Sequence, residues 1–314
     1  MKKKILIIIT VLFISLNFVA YQHAYHFTHF SDTVRTKTKI TSATPFSTKL
    51  MVLLNGIENP RPENKEQPVR PFQTIEIASN NKLEAWVMES DKPTGTVILF
   101  HGYTGHKSKL LEEAYAFMDM GLNTVMVDFP GSGGSEGNTT AIGYHEAADV
   151  LASFQAVEQL FPNQPIYLYG VSMGAAAILR AEAIHQLKPA GIILECPFAS
   201  LLETTKNRFR IMKVPTFPFS QMLVFWGGTQ LGFWGFSHNP ADYAKSVEVP
   251  TLLMYGLEDD RVSLEATKSI YGNLSGIKKL RTFEGIGHKL YYEQYPVEWM
   301  GEIREFIKAS TAIQ

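Results

Sequence analysis

The chain has 314 residues, 45% of them hydrophobic and 19% charged, which is ordinary globular material with enough apolar surface for a large core. Lys and Arg number 29 against 30 Asp and Glu, a net charge of -1, so no global field steers nucleic acid to the chain, and no nucleic-acid motif is present. The single cysteine, Cys196, excludes an intramolecular disulfide.

Lys2, Lys3 and Lys4 precede an almost unbroken apolar run from Ile5 to Ala20, a positive n-region followed by an h-region. The run is slightly short of the ~20 residues that span a bilayer as a helix, and slightly long for a cleaved signal. No small-x-small site follows it: Phe18 stands two residues before Ala20, and Gln22 two before Ala24. The pattern favours an uncleaved signal anchor within residues 1–30, with the lysines cytoplasmic and the body exported. The alternative is a cleaved signal peptide and a secreted product. His23, His26 and His29 share one helical face, which makes a metal site conceivable. No carboxylate or cysteine supports one locally, so the expectation is no metal and a juxtamembrane aromatic belt with Tyr25, Phe27 and Phe30. Ser31 to Thr48, rich in Ser, Thr and Lys, suggests a tether. Leu50 to Leu54 suggests a short helix ending near Gly56. Asn59-Pro60-Arg61-Pro62 and Pro68 to Pro71 mark irregular chain. Residues 31–71 are therefore expected to be tether and lead-in, and the catalytic domain is expected at 72–314.

Thr74 to Ile77 and Leu83 to Val87 alternate as an antiparallel hairpin does. The rhythm then changes to short apolar runs at Val97 to Phe100, Thr124 to Val127, Ile166 to Tyr169, Ile192 to Leu194 and Leu252 to Tyr255. Helical patterns at Lys107 to Met120, Ala141 to Leu160 and Met173 to Gln186 separate most of them. Strands alternating with helices predict an α/β fold, a mostly parallel central sheet with helices on both faces. Leu280 to Phe283 predicts a last strand and Val297 to Ala309 a closing helix.

Gly170-Val171-Ser172-Met173-Gly174 stands between a strand pattern and a helix pattern, the context of a nucleophile elbow. Its glycines let strand and helix approach closely, and the turn lifts the Ser172 hydroxyl clear of the sheet. A serine hydroxyl needs a base, and the base needs a carboxylate to fix its tautomer. Such groups belong in loops after the carboxyl ends of strands. One such loop is Gly256-Leu257-Glu258-Asp259-Asp260-Arg261, and another is Gly285-Ile286-Gly287-His288. Chain order is then Ser172, Asp259, His288. Glu195, at the end of another strand, and the adjacent Asp260 are alternatives for the acid. His101-Gly102-Tyr103-Thr104-Gly105 follows Phe100 and can supply an oxyanion-hole N–H, that of Tyr103, to pair with the N–H of Met173. Asp128 suits a structural acceptor for the glycine loop that follows it.

With these motifs, and with Gly131-Ser132-Gly133-Gly134-Ser135-Glu136-Gly137, the sequence resembles the α/β-hydrolase superfamily from Phe72 to Lys308. Its spacing is most similar to the branch that includes monoacylglycerol-lipase-like and serine-aminopeptidase-like proteins. Many relatives carry Arg where Pro130 stands here, so a local ion pair they make is missing. The resemblance implies an α/β-hydrolase fold with a small lid insertion, here at about 199–243, and a cofactor-independent serine hydrolase. In that reading Ser172 is nucleophile, His288 base, Asp259 orienting acid, and Tyr103 and Met173 the oxyanion hole. The expected substrate is a small-molecule carboxylic ester, with the membrane met through the N-terminal segment. The alternatives are a serine peptidase with the same triad and a non-catalytic binding protein on a hydrolase scaffold. The ester is preferred because a peptide's ammonium needs a carboxylate partner. From Thr204 to Ala241 the chain has no Asp or Glu, only Lys206, Arg208, Arg210, Lys213 and a dense aromatic stretch.

Overall fold

The computed structural model describes residues 2–37 and 44–311. They fall into two compact units. The first joins the chain up to Arg61 with the inserted segment Leu201–His238; the second joins Pro62–Ser200 with the chain from Asn239 onward.

The first unit begins with α1, Lys2–Thr28, one continuous 27-residue helix. It runs well past Ala20 because no Gly or Pro interrupts it. The side chains from Ile5 to Ile14 that are large and apolar lie exposed, not packed in a core. The two-residue strand β1, Phe30–Ser31, pairs in parallel with β2, Asn59–Pro60. Between them α2, Phe46–Asn55, starts four residues before the expected Leu50, directly after Pro45. It stops at Gly56, whose φ of 89° costs a glycine little. The expected tether is therefore partly helical, and its residues 38–43 lie outside the described residues.

The second unit holds an eight-stranded sheet. Its strands are β3 (Gln73–Ile77), β4 (Leu83–Met88), β5 (Thr96–Phe100), β6 (Asn123–Val127), β7 (Ile166–Val171), β8 (Gly191–Glu195), β9 (Thr251–Gly256) and β10 (Lys278–Phe283). Their spatial order is β10-β9-β8-β7-β5-β6-β4-β3. β3 and β4 form the antiparallel hairpin, β4 pairs antiparallel with β6, and every other pair is parallel. Strands β5 to β9 are buried at every position, which is why they are written as continuous apolar runs and not as alternation. The helices are α3 (Leu111–Asp119), α4 (Glu146–Leu160), α5 (Met173–His185), then α6 (Leu201–Ile211) and α7 (Phe219–Gln230) of the inserted segment, and α8 (Pro240–Tyr243), α9 (Leu264–Asn273) and α10 (Pro296–Thr311). The insertion leaves and re-enters this unit at adjacent points, since the Ala241 N–H donates to the Ala199 carbonyl.

Two helices start later than their apolar patterns. α4 begins at Glu146, not Ala141, because the buried Glu146 carboxylate gathers the chain ahead of it. It accepts the N–H groups of Ala141 and Gly143, each at 2.9 Å, and the Thr140 hydroxyl at 2.7 Å. The segment before α3 is a 3₁₀ turn, Lys107–Leu110, held by the Lys107 N–H donating to Asp128 Oδ1 at 2.7 Å. The core beside α3 and α10 is aromatic: the Trp299 ring meets Phe117 edge-on at 5.2 Å and Tyr169 at 6.1 Å, all three fully buried. Burying Phe117 alone contributes about 1.5–3 kcal/mol.

Lys107 is itself completely buried, an uncommon place for a lysine. Its ammonium pairs with Asp128 and with Glu84 and lies 4.4 Å from the Trp86 ring centre. Burial would raise the Asp128 carboxyl, but the Lys107 charge and its hydrogen bonds more than offset that and hold it below its ordinary value. Asp128 also accepts the Gly134 N–H at 3.0 Å and the Asn64 amide at 2.8 Å, the acceptor role expected for it. Lys107→Met is expected to destabilise the protein by about 3–5 kcal/mol in urea unfolding at pH 7, since it strands a buried carboxylate. Because Asp128 titrates low in the folded state, that difference should shrink as pH falls through and below the ordinary carboxylate range.

Candidate active site

Val171 ends β7 and Met173 opens α5, leaving one residue to turn the chain. That residue is Ser172, at φ 51° and ψ −104°, a conformation L-residues rarely adopt. The two flanking glycines make it possible. A Cβ on Gly170 would come within 2.7 Å of the Ala175 nitrogen, and one on Gly174 within 2.4 Å of the Phe100 carbonyl oxygen. The Ser172 N–H is held by the Glu195 carbonyl at 2.8 Å, which ties the turn to the end of β8.

His288 and Asp259 come from the loops after β10 and β9. These loops are laced together: the Glu258 N–H donates to the Ile286 carbonyl, and Gly256 lies so close that a Cβ there would meet the Ile286 oxygen at 2.4 Å. The three expected residues are thereby brought together. His288 Nε2 lies 3.0 Å from Ser172 Oγ, and His288 Nδ1 lies 2.7 Å from Asp259 Oδ2. The other carboxylate oxygen, Oδ1, accepts the N–H groups of Arg261 at 2.8 Å and Val262 at 2.9 Å, so the carboxylate cannot swing. With Asp259 accepting the proton on Nδ1, Nε2 is left as an acceptor facing the serine. Ser172, His288 and Asp259 are each at least half-buried, in the order hydroxyl, imidazole, carboxylate.

The alternative acids do not reach His288. Glu195 is fully buried, and its carboxyl accepts the Trp299 indole N–H at 2.6 Å and the Tyr291 N–H at 3.4 Å. Burial pushes it up to about 7. It anchors α10 beneath the elbow. Asp260 is exposed and Asp259 makes the contact.

The loop after β5 lies against the elbow. A Cβ on Gly102 would sit 3.5 Å from the Ser172 Cβ. The buried His101 ring braces it, with Nε2 accepting the Phe129 N–H at 3.0 Å and Nδ1 donating to the Gly102 carbonyl at 2.8 Å. Those two bonds need the neutral ring, and burial lowers its pKa accordingly. Tyr103 follows directly, in a turn closed by Gly105 N–H to the Gly102 carbonyl at 2.9 Å. Met173 is the first residue of α5, where helix geometry leaves backbone N–H groups without an intrahelical partner.

Cys196 was not expected here. Its sulfur, an Asp259 oxygen and a His288 nitrogen lie within 4.8 Å of one another. Burial first, then the nearby Asp259 and Glu195 charges, push the thiol well up, so it is held as a protonated, inert group. His23 Nε2 of α1 faces the Leu53 carbonyl at 2.9 Å, and His29, just past the end of α1, sets Nδ1 3.1 Å from the Tyr25 carbonyl. In the insertion, Glu203 pairs with Arg210 at 2.7 Å and Lys206 at 3.4 Å, so two of its cations are taken up locally.

A family model described as serine aminopeptidase, S33, matches residues 91–240. The esterase Pf2001 of Pyrococcus furiosus superposes with a TM-score of 0.66 at 23% identity, over 80% of this chain and 96% of that one. The chain has the α/β-hydrolase fold. Among curated relatives of this chain, the uncharacterized protein YqkD of Bacillus subtilis is 25% identical over 78% of this chain and 81% of its own length. The lysophosphatidylserine lipase ABHD12 of Danio rerio is 26% identical over 66% of this chain and 53% of its own length.

The Glu195 carboxyl yields a pH signature with a definite sign. Its pKa rises from 4.5 to about 7 on folding, so its contribution to stability is present below pH 4.5 and lost as pH rises towards 7. Glu195→Gln removes that loss. The urea midpoint of the variant, relative to the native protein, is expected to rise between pH 4.5 and 7.5, and a constant difference would show that Glu195 titrates normally.

Proposed function

We propose that this α/β-hydrolase cleaves carboxylic esters through an acyl-enzyme, and that it works from the outer face of the cytoplasmic membrane, anchored by α1. The observation that carries the reading is the continuous hydroxyl–imidazole–carboxylate line of Ser172, His288 and Asp259, built on a strained serine. Ser172 Oγ attacks the ester carbonyl carbon while His288 Nε2 takes its proton. Negative charge develops on the carbonyl oxygen, and the N–H groups of Met173 and Tyr103 are assigned to receive it. His288 returns the proton to the departing alcohol as the C–O bond breaks. Water then repeats the sequence on the acyl-enzyme, with His288 again as base, and Ser172 is regenerated. Asp259 fixes the tautomer and stabilises the imidazolium formed at each step. None of these steps calls on a cofactor.

The preference for an ester over a peptide's free amine rests on charge. A desolvated ammonium needs a carboxylate. Glu203 is the one acidic residue of Leu201–His238, and it is engaged with Arg210 and Lys206. The esterase and lipase named among the similar proteins agree with this choice, whereas the matched family model carries an aminopeptidase description and keeps the peptidase as the second reading. A binding protein on a hydrolase scaffold has no need of an aligned triad.

Purified protein is expected to cleave p-nitrophenyl esters with a kcat/KM well above that for aminoacyl p-nitroanilides; the reverse order would promote the peptidase. Asp259→Asn should lower ester turnover by about 10⁴-fold, as in the template triad, while Glu195→Gln should cost far less. A larger loss from Glu195→Gln would transfer the acid's role to Glu195.

A further inference from the structure

The inserted segment is docked on the N-terminal helix, and the docking begins part-way along the apolar run. Trp226 of α7 donates its indole N–H to Asn17 Oδ1 at 3.2 Å and meets the Tyr21 ring edge-on at 5.4 Å. The Gln230 amide donates to the Tyr21 carbonyl at 2.9 Å. Arg208 of α6 lies 5.2 Å from the Phe27 ring centre. On another side, α2 meets α1 through His23 and the Leu53 carbonyl. Asn17, a polar residue inside an apolar helix, is satisfied by these contacts, its own amide donating to the Phe13 carbonyl at 2.9 Å.

Length then decides where α7 lies. The stretch of α1 before Asn17 that carries the exposed apolar side chains runs from Ile5 to Leu16. At 1.5 Å per residue it covers about 18 Å. The hydrocarbon core of a bilayer is about 30 Å thick and needs about 20 residues of helix. Those residues run from Ile5 to about Ala24, through the very part of α1 against which α7 is packed. A helix docked there shares the hydrocarbon layer or its outer edge.

The composition of the docked elements fits that place. From Val214 to Ser237 the chain has no Asp, Glu, Lys or Arg. Phe217 and Trp234 are exposed at 76% and 57%, and on α2 Phe46, Met51 and Leu53 are exposed at 79%, 63% and 63%. Large apolar side chains left in water on one unit are costly, whereas aromatic residues are favoured at the headgroup boundary.

We propose that α7 and α2 are seated in the outer leaflet of a phospholipid bilayer beside α1, making the inserted segment a membrane-embedded platform and not a water-exposed cap. This rests on the reading of α1 as a membrane anchor. The expected consequence is that lipid touches Trp226 and Trp234 but not Trp86 or Trp299, which are buried in the sheet unit.

The test uses the full chain reconstituted in phosphatidylcholine–phosphatidylglycerol vesicles, with and without bromine at carbons 6 and 7 of the acyl chains. Flotation of the vesicles reports the anchor, and tryptophan emission reports the platform. Floating protein whose emission drops in the brominated vesicles, with that drop abolished in Trp226→Phe/Trp234→Phe, supports the proposal. Met51→Trp placed in the double variant should restore quenching through α2, and does so without touching the Asn17 contact. Floating protein with unquenched emission overturns the proposal and leaves the anchor intact, and it does so equally if cross-linking shows a second copy on this face. Protein that fails to float overturns the anchor reading and the platform together.

Discussion

A backbone φ of 51° at Ser172 is the constraint on which the rest of the site depends. Such a conformation costs on the order of 1–3 kcal/mol and persists only where its surroundings leave no alternative. Here they leave none. Gly170 and Gly174 bring β7, α5 and the end of β5 to separations that a Cβ would forbid, and the Glu195 carbonyl holds the serine's N–H. The same close approach sets the His101–Gly105 loop beside the hydroxyl. One strained residue thus aligns the hydroxyl proposed as nucleophile, the helix N-terminus and the loop assigned to the oxyanion.

The second requirement is that an imidazole and a carboxylate from distant parts of the chain arrive in register with that hydroxyl. Parallel strand order does the coarse work. β7, β8, β9 and β10 are consecutive neighbours, so the loops after β9 and β10 open at the same edge as the elbow. Backbone bonding does the fine work, through Glu258 to Ile286 and through Tyr291, whose hydroxyl accepts the Gly256 N–H at 2.8 Å. Tyr291 also donates its backbone N–H towards the Glu195 carboxyl, so one residue joins Glu195, beneath the elbow, to the start of the Asp259 loop.

The sheet was legible because fully buried parallel strands leave a plain trace, runs such as Val97 to Phe100 and Ile166 to Tyr169 with no polar alternation. Ser172, His288 and Asp259 were legible because each follows such a run in a glycine-marked turn. What escaped was long-range. Lys107 stands in a helical, surface-looking pattern, and only the fold shows that it is buried against Asp128 and Glu84. Cys196 carries no local sign of lying beside Asp259. The late start of α4 depends on Glu146 reaching back to Ala141 and Gly143, a tertiary choice that apolar periodicity does not encode. The packing of residues 201–238 with the N-terminal helix is of the same kind: it joins segments some 200 positions apart through contacts such as Trp226 with Asn17.

Ser172 is proposed as an activated nucleophile, and the mass of the intact protein after exposure to a fluorophosphonate tests that role. A single covalent adduct at pH 7, carried by the peptide that contains Ser172 and missing from Ser172→Ala, is the expected result. An unmodified native protein, or an adduct that survives in Ser172→Ala, would contradict it.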